Sequence, residues 1–148
     1  MNTCNDIMTQ NPVYCLADDM AIKAAELMKA GNIGPVLVVD DEQTRKLVGI
    51  VTDRDLALKI IAEGLDARST KVEAVMTRSV VTLLPEDDLQ KALDAMTEHQ
   101  VRRIPIVDAD NKILGIISQA DVATRVDQPE KTAKMVKDVS QADETVSA

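Results

Sequence analysis

The side chains of this 148-residue sequence best suited to chemistry are acids in close pairs: Asp18-Asp19, Asp53 with Asp55, and Asp108 with Asp110. Such pairs could hold Mg²⁺ or divide general acid and base roles. Each falls at a predicted helix start or turn, where Asp bonds to neighbouring backbone N–H groups instead. The spacing Ser/Thr-x-x-Asp occurs twice, at Thr52–Asp55 and Ser118–Asp121. At a helix start it forms a capping box, in which each side chain satisfies a free backbone donor. His99 is the only histidine, and Cys4 and Cys15 are the only cysteines. Together they could make a metal- or redox-responsive site completed across a dimer, but three scattered residues lack ligand spacing. His99 suits a helix end, where the dipole favours a cation. The sequence contains no P-loop, no Gly-x-Gly-x-x-Gly and no nucleophile motif. A lone histidine also leaves few general bases near neutral pH. The sequence therefore predicts no enzymatic activity.

The elements that must position these residues are written twice. Met8-Thr9 returns as Met76-Thr77, Ala24 as Ala92, Met28 as Met96, and Val39-Asp40 as Val107-Asp108, at one constant offset. Lys46, Gly49-Ile50, Asp55 and Ala57 return as Lys112, Gly115-Ile116, Asp121 and Ala123 with the offset shortened by two. The first copy therefore carries two extra residues between Asp40 and Lys46, where a turn tolerates them. A repeat this long sets the architecture and places function between two related halves. Each copy reads as strand, helix, strand, strand, helix. In the first, a helix runs from Asp19 to Ala30 and stops at Gly31 as its C-cap. Strands Val36–Val39 and Leu47–Val51 flank the turn Asp41-Glu42-Gln43-Thr44, and a helix from Asp53 to Glu63 ends at Gly64. In the second, Val80 to Leu83 is a short apolar run, and a helix opens at Pro85-Glu86-Asp87-Asp88. Leu89, Ala92, Leu93 and Met96 form its apolar stripe. Strands Ile104–Val107 and Ile113–Ile117 follow, and Ser118 opens the last helix. The boundaries are repeat 1 over 5–64, a linker over 65–71, repeat 2 over 72–126, and a polar tail over 127–148. In that tail Glu130 to Lys137 could form a turn or two of helix, and 140–148 is expected to be disordered.

One half alone buries too little surface to be stable, so the halves are expected to pack as one folding unit. The chain is 45% hydrophobic with no Phe, no Trp and one Tyr. Its core must be aliphatic, and a bound ring would lie between aliphatic side chains, with Tyr14 the single aromatic partner. The net charge of −8 disfavours nucleic acid, which needs a basic face and usually stacking aromatics. Apolar runs such as Val36–Val39 are too short to span a bilayer, and polar residues interrupt the start of the chain, against a signal peptide. A cytoplasmic (cytosolic) protein is the expectation.

Two motifs recur in register. One is an apolar strand ending in Asp, Val36-Leu37-Val38-Val39-Asp40 and Ile104-Pro105-Ile106-Val107-Asp108. The other is Gly-Ile-x-[Ser/Thr]-x-x-Asp, at Gly49–Asp55 and Gly115–Asp121. With the Asp-Ile-Met-Thr and Ala-Val-Met-Thr openings, they resemble a tandem pair of CBS domains, the Bateman module, over residues 5 to 126. With no catalytic domain attached, the chain is similar to the stand-alone bacterial members, including the mycobacterial hypoxic-response type. The resemblance implies an α/β (α+β) fold of two β-α-β-β-α CBS repeats packed about a pseudo-twofold axis, with two clefts that often take adenosyl ligands. It implies that Asp55 and Asp121 hold ribose hydroxyls, and that Thr52 and Ser118 help hold phosphate. The physics agrees, since a carboxylate accepts two hydroxyls and a helix start offers free N–H groups to an anion. The resemblance also brings Arg103 to phosphate at the centre of the module, which its always-charged guanidinium suits. A solvated strand-edge charge or a salt bridge is the other reading of Arg103.

The first copy departs from the pattern. Leu37 stands where the second has Pro105, and Gly34-Pro35 where it has Arg102-Arg103. A basic phosphate ligand is missing there, and Arg54 is expected to face solvent. The second copy's cleft is thus the expected binding site, with Thr82, Val81 and Val101 around a base; Tyr14, which aligns with Thr82, would line the other cleft or simply pack. The expected function is a regulatory sensor of AMP, ADP, ATP, S-adenosylmethionine or NAD, with no required cofactor, acting on an effector protein by conformational change. A homodimer is implied as well, a disc of four repeats. The alternatives are a docking protein with vestigial clefts and the metal- or redox-responsive dimer.

Overall fold

The computed structural model describes residues 2–125. They form two compact units, one of residues 12–80 and 110–113, the other of 2–11, 81–109 and 114–125. Each contains one three-stranded sheet with helices, a mixed α and β architecture. The expectations for 127–148 lie outside the described residues.

In the first unit, β2 (Tyr14–Leu16) runs parallel to β3 (Pro35–Val39) through a crossover on α2 (Ala21–Gly31). β4 (Leu47–Thr52) pairs antiparallel with β3, Thr52 opposite Pro35. β3 is the middle strand, so Val36 to Val39 are all buried, as an unbroken apolar run requires. β4 alternates instead, burying Leu47, Gly49 and Val51. Ala21, Ala24 and Met28 of α2 close over them, one stripe at helical spacing. The helix opens at Ala21, after Met20, rather than at Asp19, because Asp19 turns its carboxylate back to the Leu16 N–H at 2.8 Å. Gly31 is its last helical residue and not its cap. Asn32 takes the left-handed conformation (φ 51°) and donates to the Lys29 and Met28 carbonyls, a role Asn fills at little cost. The two extra residues of the first copy lie in the turn after β3. There Asp40 Oδ1 accepts from the Asp41 and Lys46 N–H groups and the Thr44 hydroxyl, and Thr44 holds the Asp40 carboxyl below its ordinary range.

The helix expected over 53–63 is shorter and changes pitch. α3 (Asp53–Leu56) continues into a π turn over Ala57–Ile61, in which the Ala62 N–H reaches the Ala57 carbonyl at 2.9 Å. Ile60 is buried in that turn, while Leu58 and Ile61 are exposed. A 3-10 turn, Val72–Ala74, then leads to Met76-Thr77, where Thr77 bridges antiparallel to Ile50 of β4. Ile50 and Thr77 exchange backbone hydrogen bonds of 2.9 and 2.8 Å.

The second unit has strand order β1–β6–β5, from β1 (Thr9–Gln10), β5 (Arg103–Val107) and β6 (Ile113–Ser118). β1 lies antiparallel on β6, Thr9 opposite Ile116. The run Val80 to Leu83 is not a continuous strand. Leu83 alone makes a parallel bridge, to Ile106. α4 (Leu89–His99) begins four residues later than Pro85, with Asp88 accepting from the Lys91 N–H at 2.8 Å. The stretch before it is a turn because its carbonyls serve another element. α1 (Cys4–Ile7), which the sequence did not suggest, donates its Cys4 and Asn5 N–H groups to Asp87 and Pro85. Leu89, Ala92, Leu93 and Met96 pack with Ile104, Ile106, Ile117 and Val122, the last from α5 (Gln119–Arg125).

The repeated Met-Thr and Gly-Ile motifs explain each other across the copies. A Cβ on Gly49 would lie 2.7 Å from Met76 Sδ and 2.9 Å from the Thr77 carbonyl oxygen. One on Gly115 would lie 2.6 Å from Met8 Sδ and 2.8 Å from the Thr9 carbonyl oxygen. Each Met-Thr segment therefore packs in the unit that holds the other copy's Gly-Ile strand, and only glycine leaves it room.

Candidate functional site

In the second unit the end of β6 and the start of β5 are joined by a hydrogen bond of 2.7 Å from Gln119 N–H to the Arg102 carbonyl. This bond sets Ser118 and Asp121 on one side and Arg103 on the other at the same end of the sheet. Ser118 and Asp121 form the expected reciprocal cap. The Ser118 N–H donates to Asp121 Oδ2 (3.0 Å), and the Asp121 N–H donates to Ser118 Oγ (3.1 Å). Arg103 is exposed at the first position of β5, with its guanidinium outside the core. Val101 is half-buried against the core, placed by a 3.1 Å bond from its N–H to Met96, after Gln100 has closed α4 in the left-handed conformation. Thr82 precedes Leu83, which exchanges hydrogen bonds with Pro105 and Val107 of β5. Of the nine ligand candidates named from the sequence, Val101, Arg103, Ser118 and Asp121 thus lie at the β5–β6 end of one unit, and Val81 and Thr82 lead into Leu83 beside β5.

Sequence reasoning passed over Gln119. Its Nε2 is buried with no hydrogen-bond partner among the described residues, an arrangement most buried amides avoid. It follows Ser118 directly, where an acceptor on a bound molecule would satisfy it. Nothing in the sequence marks it, since the aligned residue of the first copy is Asp53.

The first unit repeats the frame with different contents. The Asp53 N–H donates to the Gly34 carbonyl at 3.1 Å, matching the Gln119–Arg102 bond. A Cβ on Gly34 would sit 3.3 Å from Asp53 Oδ1, so a larger residue there would press on that carboxylate. The Thr52 N–H and hydroxyl donate to Asp55 Oδ2 at 3.0 and 3.2 Å, and the Asp55 N–H donates back to Thr52 Oγ1 at 3.2 Å. Arg54 is exposed. Tyr14 does not join this group. It stands opposite Leu37, and its hydroxyl donates to Glu42 Oε2 at 2.7 Å, in the turn at the far end of β3 from Thr52. That bond to a carboxylate raises the Tyr14 phenol above its ordinary value.

Among the described residues no group of three or more His, Cys, Asp or Glu is placed to hold a metal ion. The two cysteines lie in different units, Cys4 with Leu83 and Leu89, Cys15 with Val36 and Val38. Burial, reinforced by Asp87 and Asp88, pushes the Cys4 thiol up to about 11; burial and Asp19 push Cys15 up to about 12. Neither is a thiolate at neutral pH, the form that binds metal or attacks. A thiol raised above its unfolded value of 9.0 favours folding fully below that pH. As pH rises from 9 through about 11 to 12, the unfolded chain loses protons that the folded chain keeps. Stability should then fall by roughly 2 to 4 kcal/mol for each thiol. Urea melts at pH 8 and pH 11 on the wild type and on Cys4→Ala/Cys15→Ala check this. A variant that loses as much stability at pH 11 as the wild type would remove the cysteines as the cause. His99 ends α4 and is exposed. No helix among the described residues is long and apolar enough to cross a membrane.

Comparison with known proteins adds a family. The model for the CBS domain matches residues 4–62 and again 72–127. The chain is 36% identical to the YlbB protein of Bacillus subtilis over 97% of its own length and 95% of that protein. It is 32% identical to Hypoxic response protein 1 of Mycobacterium tuberculosis over 83% of this chain and 84% of the other. Among solved structures, Hypoxic Response Protein I with two coordinated zinc ions superposes with a TM-score of 0.76 at 30% identity, over 84% of this chain and 99% of that one. CBSX2 in complex with AMP gives 0.70 at 29% identity, over 84% and 95%. A CBS domain pair in complex with 5′-methylthioadenosine and S-adenosyl-L-methionine gives 0.72 at 25% identity, over 84% and 94%.

Proposed function

The chain belongs to the CBS-domain family, and from that premise we propose that it is a regulatory module that binds an adenosine-containing ligand and signals by changing conformation. The ligand class is AMP, ADP, ATP, S-adenosylmethionine or NAD. Asp121 accepts the ribose hydroxyls, Ser118 and Arg103 hold phosphate or another polar group beyond the ribose, and Thr82 and Val101 flank the base. The observation that carries this reading is the Gln119–Arg102 bond, which sets a carboxylate, a hydroxyl and a guanidinium at one end of one sheet. The buried Gln119 Nε2 beside them, without a partner among the described residues, supports it. So do the solved relatives that hold AMP, and 5′-methylthioadenosine with S-adenosyl-L-methionine. The ligand acts only by preferring one arrangement of the protein over another. A homodimer is part of the proposal, supported by the exposed Leu58, Ile61 and Leu65 of the first unit. A solution mass equal to the 16.1 kDa monomer would remove it.

A thermal-shift panel with the five ligands at about 1 mM tests the sensor. A ligand at 100 times its dissociation constant adds about 2.7 kcal/mol, a shift of several degrees for a chain of this size. One selective stabiliser names the ligand, and an unmoved melting point with all five sinks the sensor. A second reading, a docking protein that binds no nucleotide, draws on Gly34-Pro35 standing in place of Arg102-Arg103. It predicts that unmoved result.

A further inference from the structure

Lys59 is tied to Asp55, a candidate ligand-binding carboxylate. Its ammonium lies 3.1 Å from Asp55 Oδ1 and donates to the Val75 carbonyl at 3.0 Å. An exposed lysine four residues after an aspartate on a helix is ordinarily a weak, mobile partner. Two features separate this one. The Asp55 side chain is only 13% exposed against 45% for Lys59, so the carboxylate is the fixed and sheltered member. The second bond, to a carbonyl of the chain entering Met76-Thr77, gives the ammonium a further fixed acceptor. Both oxygens of Asp55 are then engaged, Oδ2 by the Thr52 N–H and hydroxyl and Oδ1 by Lys59. A ribose diol needs open acceptor capacity on that carboxylate, and the ammonium occupies Oδ1, the oxygen the cap leaves open.

We infer that Lys59 is a built-in cation that closes the first repeat to adenosyl ligands, leaving the second repeat as the single ligand site of each chain. The inference rests on the proposed role of the Asp of the Gly-Ile motif and goes beyond it by naming the residue that makes the two repeats unequal. It also sets the class of ligand an opened first repeat would take. With Gly34-Pro35 in place of the two arginines, those positions offer no guanidinium to phosphate, so Asp55 freed of Lys59 accepts an uncharged nucleoside.

Isothermal titration with adenosine and with AMP tests this on the full chain. The proteins are wild type, Asp121→Ala, Lys59→Met, Lys59→Arg and the double variant Lys59→Met/Asp121→Ala. Methionine keeps the stem of the exposed lysine and removes its charge, and circular dichroism verifies the fold. Wild type should take one AMP per chain, and Asp121→Ala none. The double variant should take one adenosine per chain at least tenfold more tightly than Asp121→Ala does. Lys59→Arg, which keeps the cation, should behave as wild type. Two adenosines per wild-type chain, or no adenosine bound by the folded double variant, would overturn the role of Lys59. A wild type that binds neither probe while Lys59→Met binds adenosine would sink the proposed second-repeat site and leave the closing role of Lys59 standing. No binding by any of the five proteins would overturn both.

Discussion

Gly115→Val should lower the melting temperature by about 10 °C or more and Gly49→Val by a similar amount, the largest losses expected from single surface-distant changes in this chain. A Cβ at position 115 would come within 2.6 Å of Met8 Sδ and 2.8 Å of the Thr9 carbonyl oxygen. The sulfur belongs to a flexible side chain and can retreat. The carbonyl oxygen is backbone, in the strand that pairs Thr9 with Ile116, and can move only by giving up that pairing. Overpacking of this kind costs about 1–3 kcal/mol and more when backbone must shift, so about 3 kcal/mol is expected here. Met8→Ala should restore only part of the loss, because the Thr9 oxygen stays. Gly64→Ala is the control. Gly64 has φ +70° and nothing within 4 Å of an added Cβ, so it should cost no more than about 1 kcal/mol. Calorimetry on the wild type and the four variants decides the matter. Melting of Gly115→Val within 2 °C of wild type would mean that the Met8-Thr9 segment does not pack against Gly115.

Arg103→Ala combined with Asp121→Ala should weaken binding of the stabilising adenosyl ligand at least a hundredfold. Hydrogen bonds to charged groups contribute about 1.5–3 kcal/mol each, so two lost together exceed the 2.7 kcal/mol of a hundredfold change. The variant should stay folded. Arg103 is exposed, and removing Asp121 costs the α5 cap, about 1 kcal/mol. Affinity and melting temperature measured together separate the two effects. If the double variant binds as wild type does while remaining folded, the sensor reading fails in favour of a docking protein.

Much of the fold was legible because its signals are local. β3 and β5 are unbroken apolar runs, β4 and β6 alternate, and the α4 stripe of Leu89, Ala92, Leu93 and Met96 has helical spacing. The capping pairs Thr52–Asp55 and Ser118–Asp121 were legible for the same reason. Errors came where a distant partner claimed a local group. Pro85 and Asp87 look like a helix start, but their carbonyls are held by α1. Val80 to Leu83 looks like a strand, but only Leu83 finds a neighbour. The residues after Asp53 have the pattern of a regular helix through Glu63, but α3 passes into a π turn over Ala57–Ile61. Tyr14 occupies the repeat position of Thr82, yet the turn with the extra residues brings Glu42 to its hydroxyl. Lys59 could have been noticed from its spacing after Asp55; its bond to Val75 could not.

The sequence by itself determined the repeat, the two sheets and their aliphatic cores, and which residues cap α3 and α5. Those follow from periodicity and composition, which act between near neighbours in the chain. Only the tertiary structure decided why each Gly-Ile motif needs its glycine, because the methionine that fills the space comes from the other copy. It alone also decided that Asp55 is bound by Lys59, and that the Arg102 carbonyl draws Ser118 and Asp121 to the start of β5. Contacts between residues far apart in sequence depend on how the chain closes on itself, and periodicity carries no record of that.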